Sequence, residues 1–196
     1  MNIQEAIELV SYKLGLKNGV AALDDNLLNK EIVNKAIEDK ESNNESKIDL
    51  KQYMLATKML KAHRTQLFKE ENEQHLTTII EQQDMEQSPS GLLYKVTHSG
   101  EGQLATLDDE VVVHYTGTLI DTTVFDSSRE RNKPATFKVK NVIKGWQEGL
   151  MLMNQGAQIE LILPHQLAYG ERGNDSKVPP FATLVFQIEL LQINQC

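Results

Sequence analysis

An all-α N-terminal part followed by an α+β domain built on an antiparallel sheet is the fold class this sequence predicts, and three observations carry it. Residues 1–88 hold two glycines and no proline, whereas residues 89–196 hold nine glycines and all five prolines, the contrast between helical and strand-and-turn territory. Before the stretch "EQSPSG" the apolar residues recur at helical spacing. After Leu92 they alternate, in short runs separated by turn signals.

Ile3, Ile7, Val10 and Leu14 place a first amphipathic helix, and Leu28, Ile32 and Ala36, with Val33 and Ile37 beside them, place a second. The polar stretch "EDKESNNESK" breaks that pattern. Asp49, an N-cap with Gln52 at the capping-box position, then starts a third helix expected to run to about Gln87. A helix of ~35 residues is about 50 Å long, more than so small a helical part can cover with its own core. A homodimer is therefore expected, the short helices packing on a partner and the long one acting as a spacer; the alternative is a folded-back helical hairpin. The domain expectation is 1–48 helical dimerisation, 49–88 linking helix and 89–196 the sheet domain.

In that last part "LLYKVTHSG", "EVVVHYTGTL", "ATFKVK", "AQIELILP" and "TLVFQIELLQI" read as strands. The segment "GWQEGLMLM" is the single helix candidate there, expected to cover one face of the sheet. The composition excludes several functions. A formal net charge of -8, divided as 11 basic against 16 acidic residues in 1–88 and 9 against 12 in 89–196, leaves no basic stripe for nucleic acid. The only cysteine is Cys196, so no intrachain disulfide forms. No run approaches the ~18 apolar residues of a membrane span, and the N-terminus lacks the features of a secretory signal. A cytoplasmic location is the expectation, with a periplasmic one as the alternative if a leader has been removed. The five histidines show no metal-ligand spacing, and no Gly-x-Ser-x-Gly elbow or phosphate-binding loop occurs, so neither metal nor cofactor is expected.

What the sheet domain does carry is a set of aromatic and branched side chains at strand ends and turns: Tyr115, Phe125, Phe137, Val142, Ile143, Trp146, Tyr169 and Phe186. Any one alone is an ordinary core residue. Trp146 at a helix start after Gly145, and Tyr169 in the glycine-bounded "LAYGERG", favour a pocket. The ordered blocks "VVVHYTGTL", "VFDSSRERNKPATF", "VIKGWQEGL", "LILPHQLAYGERG" and "VPPFATLVFQIELL" resemble the FKBP-type peptidyl-prolyl cis/trans isomerases over about residues 92–194. "SYKLGL" and the long charged helix look like the dimerisation region of bacterial Mip-like and FklB-like members. The resemblance implies an antiparallel sheet half-wrapped around a short helix, with a proline pocket between them. It makes Trp146 the floor and Tyr115, Phe125 and Phe186 the walls, with Asp126 and Tyr169 completing the catalytic set. Arg131, which would neutralise Asp126, joins Phe137, Val142, Ile143 and Val178 in binding substrate. The partners implied are proline-containing peptides, unfolded proteins and macrolide inhibitors of the FK506 or rapamycin type. Three departures stand out: Ala135 where small relatives carry an aromatic, the polar run Asn174, Asp175, Ser176 and Lys177, and Thr122 in place of a common glycine.

The chemistry asked of such a pocket is modest. Resonance opposes rotation of a peptide bond by about 18–20 kcal/mol, and an Xaa-Pro bond turns over in tens to hundreds of seconds unaided. A rate of order 100 per second corresponds to a barrier of about 14–15 kcal/mol. The missing ~5 kcal/mol needs no nucleophile. A twisted amide is less polar than a planar one, so an apolar cavity favours the twisted form. A preorganised donor, the Tyr169 hydroxyl or the Val178 N–H, would hold the substrate carbonyl at roughly 2–3 kcal/mol. The alternative reading of the same residues is a non-enzymatic dimeric chaperone or scaffold for unfolded clients.

Overall fold

The computed structural model describes residues 1–18, 27–43, 48–82, 85–174 and 177–194. Asp175, Ser176, Cys196 and residues 44–47 of the polar stretch lie outside them. The chain divides into two compact units, Met1–Leu67 and Phe68–Cys196.

In the first unit, α1 (Ile3–Asn18) and α2 (Lys30–Glu41) close a small core of Ala6, Val10, Leu28, Val33, Ala56 and Leu60. Leu28 is buried but lies before its helix rather than in it, because Asn29 is the N-cap and accepts from the N–H groups of Glu31 and Ile32 at 3.1 and 3.2 Å. α3 (Leu50–Gln82) starts at Asp49, whose carboxylate accepts from the Lys51 N–H at 3.2 Å. It ends five residues earlier than the sequence predicts. Glu86–Gln87 form strand β1, paired with Tyr94 and Leu93, and the turn "SPSG" closes that hairpin through Ser88 N–H to Leu92 O at 2.9 Å. The second half of α3, from Phe68 on, belongs to the sheet unit.

That unit is an antiparallel sheet with a short helix on it. Its strands β2 (Leu93–His98), β4 (Glu110–Leu119), β5 (Val124–Ser127), β6 (Ala135–Lys138), β8 (Gln158–Leu163) and β9 (Leu184–Asn194) join β1 in the order β1-β2-β8-β9-β4-β5, with β6 on the first half of β4. The short strands β3 (Glu101–Leu104) and β7 (Asn154–Gln155), which no sequence signal marked, form a separate pair. β4 alternates throughout, with Val111, Val113, Tyr115, Gly117 and Leu119 turned inward. Opposite them Leu184, Phe186, Ile188 and Leu190 face in from β9. Each fully buried aliphatic of this set contributes roughly 1.5–3 kcal/mol.

The helix α4 (Lys144–Leu150) lies on β8 because it carries Gly145 and Gly149 one turn apart. A Cβ at either would run into Leu163 or Leu161, so a helix with side chains there would stand off the sheet. This close approach buries Trp146.

Candidate active site

Trp146 is the centre of an aromatic box. Tyr115 meets it edge-on at 5.1 Å between ring centroids, Phe186 at 5.2 Å and Phe137 at 5.6 Å. Phe125 in turn stands edge-on to Phe186 at 5.6 Å. Pairs of this geometry add about 0.5–1.5 kcal/mol each beyond burial, so the rings brace one another. Above the indole is a cavity of about 330 Å³ lined by Tyr115, Phe125, Asp126, Phe137, Asn141, Val142, Ile143, Trp146, Tyr169 and Phe186.

Two local features build it. The first is a β-bulge. Gly117 pairs with Asp126 and Thr118 with Val124, which leaves Phe125 as the extra residue of β5. Consecutive side chains of a regular strand point to opposite faces, whereas a bulge re-aims one of them. Phe125 and Asp126 therefore both reach the cavity. The second is Gly117, where a Cβ would stand 2.6 Å from the Phe186 ring and 2.7 Å from the Phe125 ring. Only a residue without a side chain lets the two walls close over β4.

The polar edge of the cavity is a closed triangle. The Tyr115 hydroxyl donates to one Asp126 oxygen at 2.5 Å, Arg131 donates to the other, and Arg131 also donates to the Tyr115 hydroxyl at 3.0 Å. Burial alone would raise the Asp126 pKa, but the Tyr115 and Arg131 hydrogen bonds and the nearby Lys177 outweigh it and hold the carboxyl below its ordinary value. Burial, helped by the Asp126 hydrogen bond, pushes the Tyr115 hydroxyl up to about 12. At neutral pH the edge thus holds one fixed carboxylate and one fixed phenol, with Arg131 spanning them.

Val142 and Ile143 lie between a 3-10 turn (Val139–Asn141) and α4, and Gln147 fixes them by donating to the carbonyls of Val142 and Lys140 at 2.9 and 3.2 Å. Neither Gln147 nor Asn141 was marked by the sequence; a polar residue one turn into a helix carries no signal of that role. Ile143, the N-cap of α4, accepts from Trp146 and Gln147 with its carbonyl, while its own N–H has no acceptor among the described residues. The Tyr169 hydroxyl likewise has no partner there and lines the cavity. Val178 does not line it. Its side chain is buried in the core behind, and its N–H is committed to the Asn174 carbonyl at 3.1 Å. The expected Val178 donor is thus corrected: a backbone bridge has already taken that group, and Ile143 offers the free amide on the cavity wall. Among the described residues no three His, Cys, Asp or Glu side chains come together as a metal site would require.

A family model described as FKBP-type peptidyl-prolyl cis-trans isomerase matches residues 101–191. The chain is 46% identical over 134 residues to the FKBP-type 22 kDa peptidyl-prolyl cis-trans isomerase of Escherichia coli strain K12, an alignment covering 68% of this chain and 65% of that one. It is 48% identical over 107 residues to the outer membrane protein MIP of Legionella longbeachae, covering 55% of this chain and 46% of the relative. The chain thus spans between about half and two thirds of the length of these curated relatives. Among solved structures, the crystal structure of FkpA from Escherichia coli superposes with a TM-score of 0.65 at 32% identity, over 86% of this chain and 83% of that one.

Proposed function

The chain belongs to the FKBP-type peptidyl-prolyl cis-trans isomerases, and on that footing we propose that it accelerates rotation about Xaa-Pro bonds in peptides and folding proteins. The observation that carries the proposal is the cavity itself, floored by an indole, walled by aromatic and branched side chains, and edged by Asp126 and by two donors, the Tyr169 hydroxyl and the Ile143 N–H, that have no partner among the described residues. A prolyl ring fills the box, which strips water from the amide preceding it. Loss of amide resonance on twisting makes the rotating bond less polar, so the dry walls favour the transition state over the planar ground state. The Tyr169 hydroxyl and the Ile143 N–H hold substrate carbonyls in place, and the charge of Asp126 acts on the rotating carbonyl from a fixed distance. No proton moves, because Asp126 and Tyr115 hold opposite protonation states far from neutrality.

The test is the relaxation of proline-containing peptides from cis to trans, followed with and without the protein. Concentration-dependent acceleration that a Trp146→Ala variant loses is the expected result; a relaxation time the protein leaves unchanged overturns the proposal. We assign macrolides of the FK506 or rapamycin type to the same cavity, which competition in that assay checks.

In the domain scheme proposed here, residues 1–48 dimerise, residues 49–88 link and the domain from residue 89 carries the site. Support for a second copy is the row of exposed apolar residues Leu50, Met54 and Leu55, together with a groove of about 310 Å³ lined by Val10, Leu14, Tyr53 and Leu60 within the helical unit. A monomeric mass in solution overturns it. The compartment proposed is the periplasm, on the strength of the relative named an outer membrane protein; no described helix is long and apolar enough to cross a membrane.

A further inference from the structure

Asn72 is a buried polar residue on α3, 2% exposed, and both ends of its carboxamide are used. Its nitrogen donates to the Phe68 carbonyl one turn back at 2.7 Å, and its oxygen accepts from the N–H of Thr183, 111 positions along the chain, also at 2.7 Å. Thr183 is equally buried and immediately precedes β9, so without Asn72 its N–H would face neither a strand partner nor water. Three residues before Asn72, the Lys69 ammonium stands 5.2 Å from the centroid of the Phe181 ring, whose other contact is the edge of His165 at 5.2 Å.

Phe181 sits at φ +63°, a left-handed conformation that a bulky side chain adopts only when its surroundings impose it. Its N–H donates to the Gly170 carbonyl at 3.0 Å, and Gly170 is bonded back to the His165 carbonyl at 2.8 Å. An unbroken chain of contacts therefore leads from Asn72 and Lys69 through Thr183 and Phe181 to Gly170, the neighbour of Tyr169 on the cavity wall.

From this juxtaposition we infer that the second half of α3 is a positioning element for the active-site loop: Asn72, assisted by Lys69, holds the turn at 181–183 in the one shape that sets the Tyr169 hydroxyl over the cavity. The inference rests on the isomerase reading and deepens it, because it gives the second half of the linking helix a part in the catalytic unit as well. Asn72 acts through Tyr169 and is not itself a catalytic residue.

The test uses the full chain and the variant Asn72→Leu, which removes donor and acceptor at similar volume. We expect kcat/KM on proline peptides to fall about tenfold. Amide exchange at Gly170, Phe181 and Thr183 should quicken at least tenfold, while the amides of β4 and β8 keep their protection. The loss should vanish in a Tyr169→Phe background, since a hydroxyl that is absent can no longer be misplaced. Activity of Asn72→Leu within twofold of the unmodified chain, or losses that multiply with Tyr169→Phe, overturns the inference while leaving the isomerase reading in place. An unmodified chain with no isomerase activity overturns that reading and the inference with it. Should Asn72→Leu fail to fold, Lys69→Ala carries the test: a threefold loss of kcat/KM at an unchanged thermal midpoint is expected, and no loss overturns the inference.

Discussion

Replacing Gly117 by alanine is the sharpest probe of the aromatic box, because it adds one carbon and removes nothing. That carbon lands 2.6 Å from Phe186 and 2.7 Å from Phe125, so each ring has to retreat about 0.7–0.8 Å to regain the 3.4 Å of ordinary contact. Phe186 cannot retreat toward Trp146, which it already meets edge-on at 5.2 Å, and Phe125 is tied to the bulge of β5. Both walls must then shift relative to the floor. Overpacking of a filled site costs about 1–3 kcal/mol of stability, and misplacement of binding groups by ~1 Å costs about 100-fold in rate. We expect kcat/KM on a proline peptide to fall between about 10- and 100-fold, with unfolding in urea 1–3 kcal/mol easier by linear extrapolation. The peptide relaxation assay and a denaturant titration monitored by Trp146 fluorescence read both. Activity within twofold of the parent, with an unchanged midpoint, would refute the claim that closed aromatic walls are what the reaction requires.

Tyr169→Phe removes one unpartnered donor from the cavity and is expected to lower kcat by roughly 30- to 150-fold, the equivalent of ~2–3 kcal/mol, with peptide affinity little changed. Asp126, whose folded pKa lies below its ordinary value, contributes stability that is present above the usual carboxylate range and is lost as pH falls through the depressed value. Activity should therefore be flat from about pH 5 to pH 9 and decline only in acid; a midpoint near 7 would contradict the proton-free mechanism. Tyr115 has the opposite sign: its stabilisation is whole below pH 10 and disappears as pH rises toward about 12, so in a Tyr94→Phe background, which removes the other phenol held above its ordinary value by its Glu86 hydrogen bond, one phenol should resist ionisation in an absorbance titration at pH 11 until the protein unfolds. Thr122 is held at φ +68°, and Thr122→Gly should raise stability by about 0.5–1 kcal/mol in thermal melts, the left-handed cost relieved less the extra freedom glycine gains when unfolded.

The parts of this molecule legible in the sequence are those with a period. β4 was marked residue for residue because a run of β-branched residues, Val111 to Val113, leads into the alternating pattern His114, Tyr115, Thr116 over a full strand. Trp146 and Tyr169 stood out through the glycines beside them, and the family blocks did the rest. Features that depend on a single backbone step left no trace. The β5 bulge inserts one residue without any compositional cue, so the hairpin's pairing of Phe125 with Asp126 at one cavity had no reading from alternation alone. β1, β3 and β7 are too short to show a pattern. The Val178 donor failed for a different reason, since whether an amide is free depends on a carbonyl four residues away that folds back to it. The split of α3 between two units was hidden because periodicity says which side chains seek cover and not which partner supplies it.

These differences share a cause that bears on how the site works. Rotation about a prolyl bond needs a dry, shaped cavity and a few fixed dipoles, all of which are properties of packing rather than of reactive groups. The floor and walls are set by helix-to-sheet approach at Gly145 and Gly149 and by ring closure over Gly117, contacts that tolerate almost no added volume. The Tyr169 donor sits instead on a loop whose strained turn at Phe181 is braced from a helix more than a hundred residues earlier. A site divided in this way responds differently to the two kinds of damage. Wall substitutions should lower affinity and turnover together, because they change the cavity itself, whereas loosening the brace should lower turnover first, because the prolyl ring still finds its box while the carbonyl loses its anchor.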